Sequence, residues 1–469
     1  MLLSLLLSDA DLYFGGMNLT QELQKRLSRN AVEDAPETCA VYSYDASKQE
    51  ASPSAVVYAT SAEDVISAVN VARKLKTSVV PRGAGSGLTG GAVPLEKAIV
   101  LDMERMNQIL HIDPEKRFCI VEPGLINADL QVRLRKYGLF FPCDPGSAAY
   151  CTLGGNVAEN ACGIRGRYYG SCFSHILGLE YVNSDGRLLS TGFFNEGKNT
   201  TLQDLLLGSE GTFGIITRLA LKLEPIPEAF NTFFLLCKER RKAFEIAEAL
   251  LREGLIPLAL EYADKNTASL VLSPRSPYHR KWIDAFLLIE TAAGEKKVEN
   301  LLDTFHHVER IKAANTEERQ AIWDLRNDIS PTLYRVAPCK LNEDVGVPSE
   351  NMALFGDFLS ELEQTVRRVR LFTFGHLGAG CFHVNVMFDE ADPEARPEAD
   401  MLVQRVFEKT ISLNGTLSSE HGIGLTKKEY LPLELSGTAL AFHKAIKIAF
   451  DPDGRFNPGK IFPENNNHD

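Results

Sequence analysis

The stretch Pro81-Arg82-Gly83-Ala84-Gly85-Ser86-Gly87-Leu88-Thr89-Gly90-Gly91 places five glycines within nine residues, directly after the apolar run Ser78-Val79-Val80. A backbone this bare can fold tightly around a ligand and turn its amide N–H groups inward, an arrangement suited to a phosphate or pyrophosphate. Gly85-x-Gly87-x-x-Gly90 also spells the dinucleotide fingerprint, but that fingerprint must open a helix whose N-terminus holds the pyrophosphate. Here the glycines run through Gly91-Ala92-Val93-Pro94 into Ala98-Ile99-Val100-Leu101-Asp102, which reads as a buried strand. Strand, glycine loop, strand is not the Rossmann context, so NAD is not expected. Taken alone, the loop also fits a purely structural turn.

The surrounding composition sets bounds. A chain of 469 residues is long enough for two or three domains with sizeable cores. Hydrophobic content of 44% and charged content of 24% are ordinary for a globular protein. A net charge of −12 argues against a nucleic-acid partner. Nine cysteines form no C-x-x-C pair, which suggests neither an iron–sulfur site nor a zinc ribbon and fits a reducing compartment. No run of about 20 apolar residues exists to span a bilayer. The expectation is a cytoplasmic protein, with peripheral contact at the inner membrane face left open. Met1 to Leu7 is a poor signal peptide, and Met17-Asn18-Leu19-Thr20 looks the more natural start, with residues 1–16 an upstream extension.

Working outward from the loop, Ser61-Ala62-Glu63-Asp64 reads as the capped start of an amphipathic helix reaching Lys76. Strands are expected at Ile99 and at Phe118 to Val121, then a helix carrying Leu125, Leu130 and Leu134. Leu179 to Val182 and Leu188-Leu189 read as a hairpin around Asn183-Ser184-Asp185-Gly186. Pro225 and Pro227 punctuate a boundary. Beyond it come strands at Phe233 to Leu236, Leu258 to Tyr262 and Phe286 to Ile289, with helices at Arg241 to Arg252, Glu350 to Val369 and Ala399 to Leu413.

Four further motifs accompany the first loop. Asp144-Pro145-Gly146-Ser147 leads through Thr152-Leu153-Gly154-Gly155-Asn156 to Asn160-Ala161-Cys162-Gly163 and Arg167-Tyr168-Tyr169-Gly170. Gly208-Ser209-Glu210-Gly211-Thr212-Phe213-Gly214-Ile215-Ile216-Thr217 follows, then Ser419-Glu420-His421-Gly422-Ile423-Gly424 and Phe456-Asn457-Pro458-Gly459-Lys460. In this order, from about residue 50 to the C-terminus, the five motifs resemble the FAD-linked oxidases of the vanillyl-alcohol oxidase and PCMH superfamily, in the branch of D-lactate, glycolate and D-2-hydroxyglutarate dehydrogenases.

The resemblance implies an α+β fold. An N-terminal extension with helices would occupy residues 1–47 and a PCMH-type FAD-binding domain residues 48–225. A ferredoxin-like α+β substrate cap would span 226–415, and a segment over 416–469 would return to the flavin domain. Pro81 to Leu88 and Gly91 would wrap the pyrophosphate. Gly154, Gly155, Asn156 and Asn160 would line the flavin ring and ribityl chain, and Pro145, Gly146, Ser147, Thr152, Gly163, Tyr168 and Gly170 would also bind the cofactor. Gly211, Gly214, Ile215 and Ile216 would hold the adenine half, and Glu210 and Asn457 would also bind the cofactor. Relatives that tether the flavin through the first loop carry a histidine where this chain has Ser86, so the FAD is expected to be non-covalent.

The same resemblance extends to Gly375-His376-Leu377-Gly378-Ala379-Gly380-Cys381-Phe382-His383-Val384-Asn385. His383 and Asn385 share a strand face, and His376 returns through a glycine-rich turn. Two imidazoles with the Glu420 carboxylate suit zinc, manganese or iron(II). Relatives carry Asp and Asn where this chain has Ala379 and Cys381, which would weaken metal binding. His421 is the expected base, Arg326 the substrate-carboxylate partner, and Asn385 completes the catalytic set. Asn342 falls where some relatives carry a lysine for a second substrate carboxylate, which argues mildly against a dicarboxylate.

The expected reaction is oxidation of a D-2-hydroxy acid, D-lactate or glycolate foremost, to the 2-oxo acid. An acceptor (a quinone, a cytochrome or an electron-transfer protein) would reoxidise the flavin, and a homodimer is expected. Two alternatives stay open: sugar-oxidase or ether-lipid-synthase chemistry on the same fold, which His306-His307 resembles only faintly, and a non-catalytic flavin-binding subunit of an oxidase complex.

Overall fold

The apolar runs either side of the glycines become strands that lie next to each other. The structure is a computed structural model that describes residues 18–464 except 96 and 293–295. The expected upstream extension and the tail beyond Glu464 lie outside the described residues. In the first sheet, β1 (Val32–Glu33), β2 (Ala55–Tyr58), β3 (Val79–Arg82) and β4 (Ile99–Asp102) run in the order β1-β2-β4-β3. β2, β4 and β3 are parallel, with Val79 opposite Ile99, and they are almost wholly buried, which is why they read as unbroken apolar runs. Helix α1 (Ala62–Leu75) packs on this sheet, its Ser61 side chain accepting the Asp64 amide at 3.2 Å. Among the described residues no helix follows the glycines before β4.

A second, antiparallel sheet holds β5 (Ile109–Asp113), β6 (Phe118–Val121), β7 (Ile176–Val182), β8 (Leu188–Ser190) and β9 (Ile215–Lys222), in the order β5-β6-β9-β7-β8. The expected hairpin is β7–β8. Chain end and first loop are tied together: Asn457 donates its amide to Val79 O at 3.1 Å, and Phe456 bridges beside β3.

The rest of the chain builds one seven-stranded antiparallel sheet. Its strands are β10 (Phe230–Cys237), β11 (Ala259–Asp264), β12 (Ala285–Ala292), β13 (Val308–Lys312), β14 (Cys339–Gly346), β15 (Arg370–His376) and β16 (Cys381–Phe388), ordered β13-β10-β12-β11-β15-β16-β14. Both faces are covered. Phe233, Leu235 and Cys237 point to a core shared with α2 (Arg240–Arg252), while Phe234 and Leu236 point to one shared with α3 (Thr316–Asn327). Arg165 bridges the two halves, pairing with Asp144 on the flavin side and lying 3.7 Å from Glu290 of β12. Arg319 and Trp323 hold that glutamate through bonds of 2.7 to 2.8 Å. Among the described residues no helix is long and apolar enough to cross a membrane.

Candidate active site

The glycine loops converge on one cavity of about 820 Å³ between the two halves. Pro81 to Leu88, Gly91, Pro145 to Ser147, Thr152, Gly154 to Asn156, Glu210, Gly211, Gly214 to Ile216 and Asn457 all line it. The wall is shaped by missing side chains. Gly85 sits at φ +65°, where an added Cβ would run into the Arg82 guanidinium, while a Cβ on Gly87 would meet nothing within 4 Å. At Gly154 it would come within 2.6 Å of Pro123. The C-terminal motif staples this wall: Asn457 Nδ2 donates to Glu210 O at 2.7 Å, and Lys460 Nζ donates to Gly91 O at 2.6 Å. A cradle of this size, floored by backbone, fits FAD.

Four of the expected cofactor residues do not line the cavity. Asn160 accepts the Phe173 amide at 2.9 Å and shapes the loop, Tyr168 is exposed, and Gly170 ends a short helix at φ +91°. Gly163 has a different task. Its N–H donates to Glu420 Oε2 at 3.0 Å, and at φ +100° it leaves no room for a Cβ beside Asp144.

Opposite stands a wall of charged side chains from the seven-stranded sheet and from the loop around residue 420. β15 ends in His376, a tight turn returns the chain into β16, and His383 lies opposite Phe374 across the pair. His376 Nε2 and His383 Nε2 lie 3.6 and 3.3 Å from Glu420 Oε1, and the three donor atoms all lie within 4.8 Å of one another. Two nitrogens and a carboxylate oxygen at that spacing fit a divalent cation.

Glu261 of β11, fully buried, sits behind them. It accepts His376 Nδ1–H at 2.8 Å and Arg326 Nε–H at 2.7 Å. Fixing Nδ1 as the donor leaves Nε2 facing the cavity. Burial alone would lower the His376 pKa, but the Glu261 carboxylate outweighs it and raises it to about 10. For His383 burial prevails over Glu420, pushing it down to about 4. Burial works to raise Glu420, yet the two imidazoles hold it well below the usual carboxylate range. Arg326 is no solvated helix residue: it lines the cavity with its guanidinium over the Phe374 ring, at 4.8 Å.

A second buried carboxylate orders His421. Asp344 Oδ2 accepts the backbone amides of Ser419, Glu420 and His421 at 2.9, 2.7 and 2.9 Å. Its other oxygen takes Lys427 and lies 3.1 Å from His421 Nδ1. Burial would lower the His421 pKa, but Asp344 reverses the sign and raises it. One aspartate thus places Glu420, the imidazole of His421 beside it and the loop that joins them.

Asn385 lies behind this surface and does not line the cavity. Its Nδ2 donates to Phe372 O and His383 O at 3.3 and 3.1 Å. It therefore supports the strand that carries His383. Cys381, where an asparagine was the family expectation, places its sulfur 4.0 Å from His383 Nε2.

Sequence reasoning passed over Glu261, Asp344 and Glu159. Each had a signal: Glu261 is a charge inside an apolar strand, Glu343-Asp344 an acidic pair in another, and Glu159 belongs to the second loop. A carboxylate in a buried strand needs a partner, so its position marks one. Glu159 lines the cavity with Oε2 unpartnered, its pKa raised well above the usual value by burial and then by Glu210.

Comparison with known proteins agrees with this geometry. Residues 53–192 match the FAD binding domain family, and residues 226–461 match "FAD linked oxidases, C-terminal domain". The chain is 32% identical over 432 residues to the glycolate oxidase subunit GlcD of Bacillus subtilis, covering 90% of this chain and 92% of that one. It is 29% identical over 463 residues to D-2-hydroxyglutarate dehydrogenase of Stutzerimonas stutzeri, covering 95% and 98%. In three dimensions it resembles p-cresol methylhydroxylase with substrate bound, at TM-score 0.77 and 18% identity over 96% of this chain and 97% of the other.

Proposed function

This chain belongs to the family of FAD-linked oxidases, and from that premise we propose that it is a dehydrogenase oxidising a D-2-hydroxy acid to the 2-oxo acid. The observation that carries the reading is the meeting of two walls in one cavity: glycine loops on one side, and His376, His383, Glu420, Arg326 and His421 on the other.

A 2-hydroxy acid presents a carboxylate beside a hydroxyl, glycolate and D-lactate being the simplest examples. FAD, when bound, supplies the hydride acceptor at N5. A zinc, manganese or iron(II) ion held by His376, His383 and Glu420 would acidify a chelated hydroxyl. Arg326 has its Nε committed to Glu261, so its terminal nitrogens are the ones that meet the substrate carboxylate. His421 receives the hydroxyl proton at Nε2, since Nδ1 faces Asp344. The hydroxyl proton and the α-hydride together are the two hydrogens lost, and His421 later returns its proton to solvent. A quinone, a cytochrome or an electron-transfer protein takes the two electrons.

Turnover with a dye acceptor tests the reading. D-acids or glycolate should reduce the dye while L-acids stay inert, and chelation should abolish activity that one of the three cations restores. Activity intact without any metal would remove the cation from the mechanism. Acid precipitation should release all flavin to the supernatant, since Ser86 offers no imidazole for a tether; colour left in the pellet would contradict non-covalent binding.

A further inference from the structure

Glu159 lines the cavity and has no part in the reaction above. It follows the short helix Leu153–Ala158, and its side chain lies in a gap left by two glycines. A Cβ on Gly91 would come within 3.1 Å of Oε1. One on Gly422, the residue after His421, would come within 2.8 Å of Oε2. The second point is shared, because Glu210 Oε1 lies 2.9 Å from it. Two carboxyl groups therefore flank one spot.

Like charges shielded from water do not both persist at such a spot, so one carboxyl keeps a proton. Their partners decide which. Glu210 commits both oxygens to backbone amides, accepting Ile423 N–H at 2.8 Å and Gly424 N–H at 2.7 Å, and such donors favour the charged form. Glu159 has no comparable donor: Oε2 is buried without a hydrogen-bond partner. Lys460 does not supply one, since its Nζ donates to Gly91 O at 2.6 Å and to Asn457 Oδ1 at 3.2 Å. Burial, then Glu210, raise the Glu159 pKa well above the usual carboxylate range; Lys460 opposes them, and Asp45 and Asp344 add to them. With Oε2 enclosed, Oε1 on the Gly91 side is the oxygen left to face the cavity.

We infer that Glu159 stands protonated and donates a hydrogen bond from Oε1 to an acceptor of bound FAD, with the charged Glu210 holding the proton in place. The pyrophosphate and the flavin carbonyls offer the same chemistry: a neutral acid suits either, and a carboxylate would be repelled by both. Glu210 then acts through Glu159 and the 423–424 amides, as a positioning residue. The inference does not depend on which acid is oxidised.

The test measures FAD binding to the full-length apoprotein by equilibrium dialysis, with wild type, Glu159→Gln and Glu159→Ala. Gln keeps an N–H donor at the same place and should bind FAD as wild type does at neutral pH. Ala should bind it roughly tenfold to a hundredfold more weakly, the size of one hydrogen bond to a polar or charged acceptor. Raising the pH ionises Glu159, so wild type should lose affinity relative to Gln; Lys460, lowered to about 7 chiefly by burial, titrates in both and cancels from that ratio. The infrared spectrum of wild-type holoprotein should contain a protonated-carboxyl band that Gln removes, a readout that stands even where the alanine variant does not fold. A shifted visible flavin spectrum in Ala puts the acceptor on the ring and an unshifted one puts it on the pyrophosphate; either upholds the bond. Gln as weak as Ala, equal affinity in all three proteins, or the absence of that infrared band overturns it.

Discussion

The flavin-side wall of the cavity is mostly glycine-rich backbone and the opposite wall is mostly charged side chain, and the two are stabilised differently. On the flavin side the chain removes atoms: a Cβ at Gly85 would strike Arg82 and one at Gly154 would strike Pro123, while Asn457 and Lys460 pin the loops from behind. On the opposite side it accumulates charge and then neutralises it. Glu261 serves both His376 and Arg326, while Asp344 serves His421, Lys427 and three backbone amides. A bare backbone wall tolerates change around it, provided that no Cβ enters. A charged wall does not, because removing one partner leaves another buried and unpaired.

The contrast is sharpest at His421. His421→Ala should slow flavin reduction by about 10²- to 10⁴-fold, while stopped-flow absorbance still shows bound, oxidised FAD. Equal loss of flavin and rate would mean the two walls are not separable. Asp344→Ala should act through stability. It strands Lys427 and the 419–421 amides, so urea unfolding should show a loss of about 3–5 kcal/mol, well above that of an exposed aspartate such as Asp185.

Glu261→Gln keeps the shape and removes the charge shared by His376 and Arg326. Metal content and kcat should each fall about 10- to 100-fold with FAD affinity unchanged. Gly85→Ala is the complementary change on the other wall. At φ +65° an alanine is strained, so equilibrium dialysis should show FAD held about tenfold more weakly while metal content stays normal.

The smallest effect is one of pH. Asp344 raises the His421 pKa above its ordinary value, and only the neutral ring accepts a proton, so kcat/KM should climb as pH rises through that raised value. Stability runs the other way. The contribution of this pair is fully present below the unfolded-state pKa of about 6.5 and is lost as pH rises through the folded one. Activity and stability that rise together across that window would contradict the assignment.

These two walls were unequally legible in the sequence. Backbone-defined features leave glycines at fixed spacing, so the three flavin loops, and β3 and β4 beside the first, stand out in the chain. The histidines and Glu420 were legible as short local motifs. Glu261 and Asp344 were not, because their meaning lies in partners 115 and 77 residues away. β14 was missed for a related reason: Lys340 and Asn342 face the cavity, Asp344 is spent on the 419–421 amides, and all three break the apolar pattern that betrays a buried strand. Charged β13, at the sheet edge, was hidden likewise. Gly163 was read as a flavin contact because its motif is shared, whereas its amide belongs to Glu420.

The most direct test of the account is to mix FAD-loaded protein anaerobically with D- and L-2-hydroxy acids and follow the visible flavin absorbance. The account predicts rapid bleaching by D-acids, or by glycolate, and none by L-acids, in a single phase that His421→Ala slows without changing the starting spectrum. A flavin spectrum that no 2-hydroxy acid bleaches would contradict the claim that the two walls meet on such a substrate.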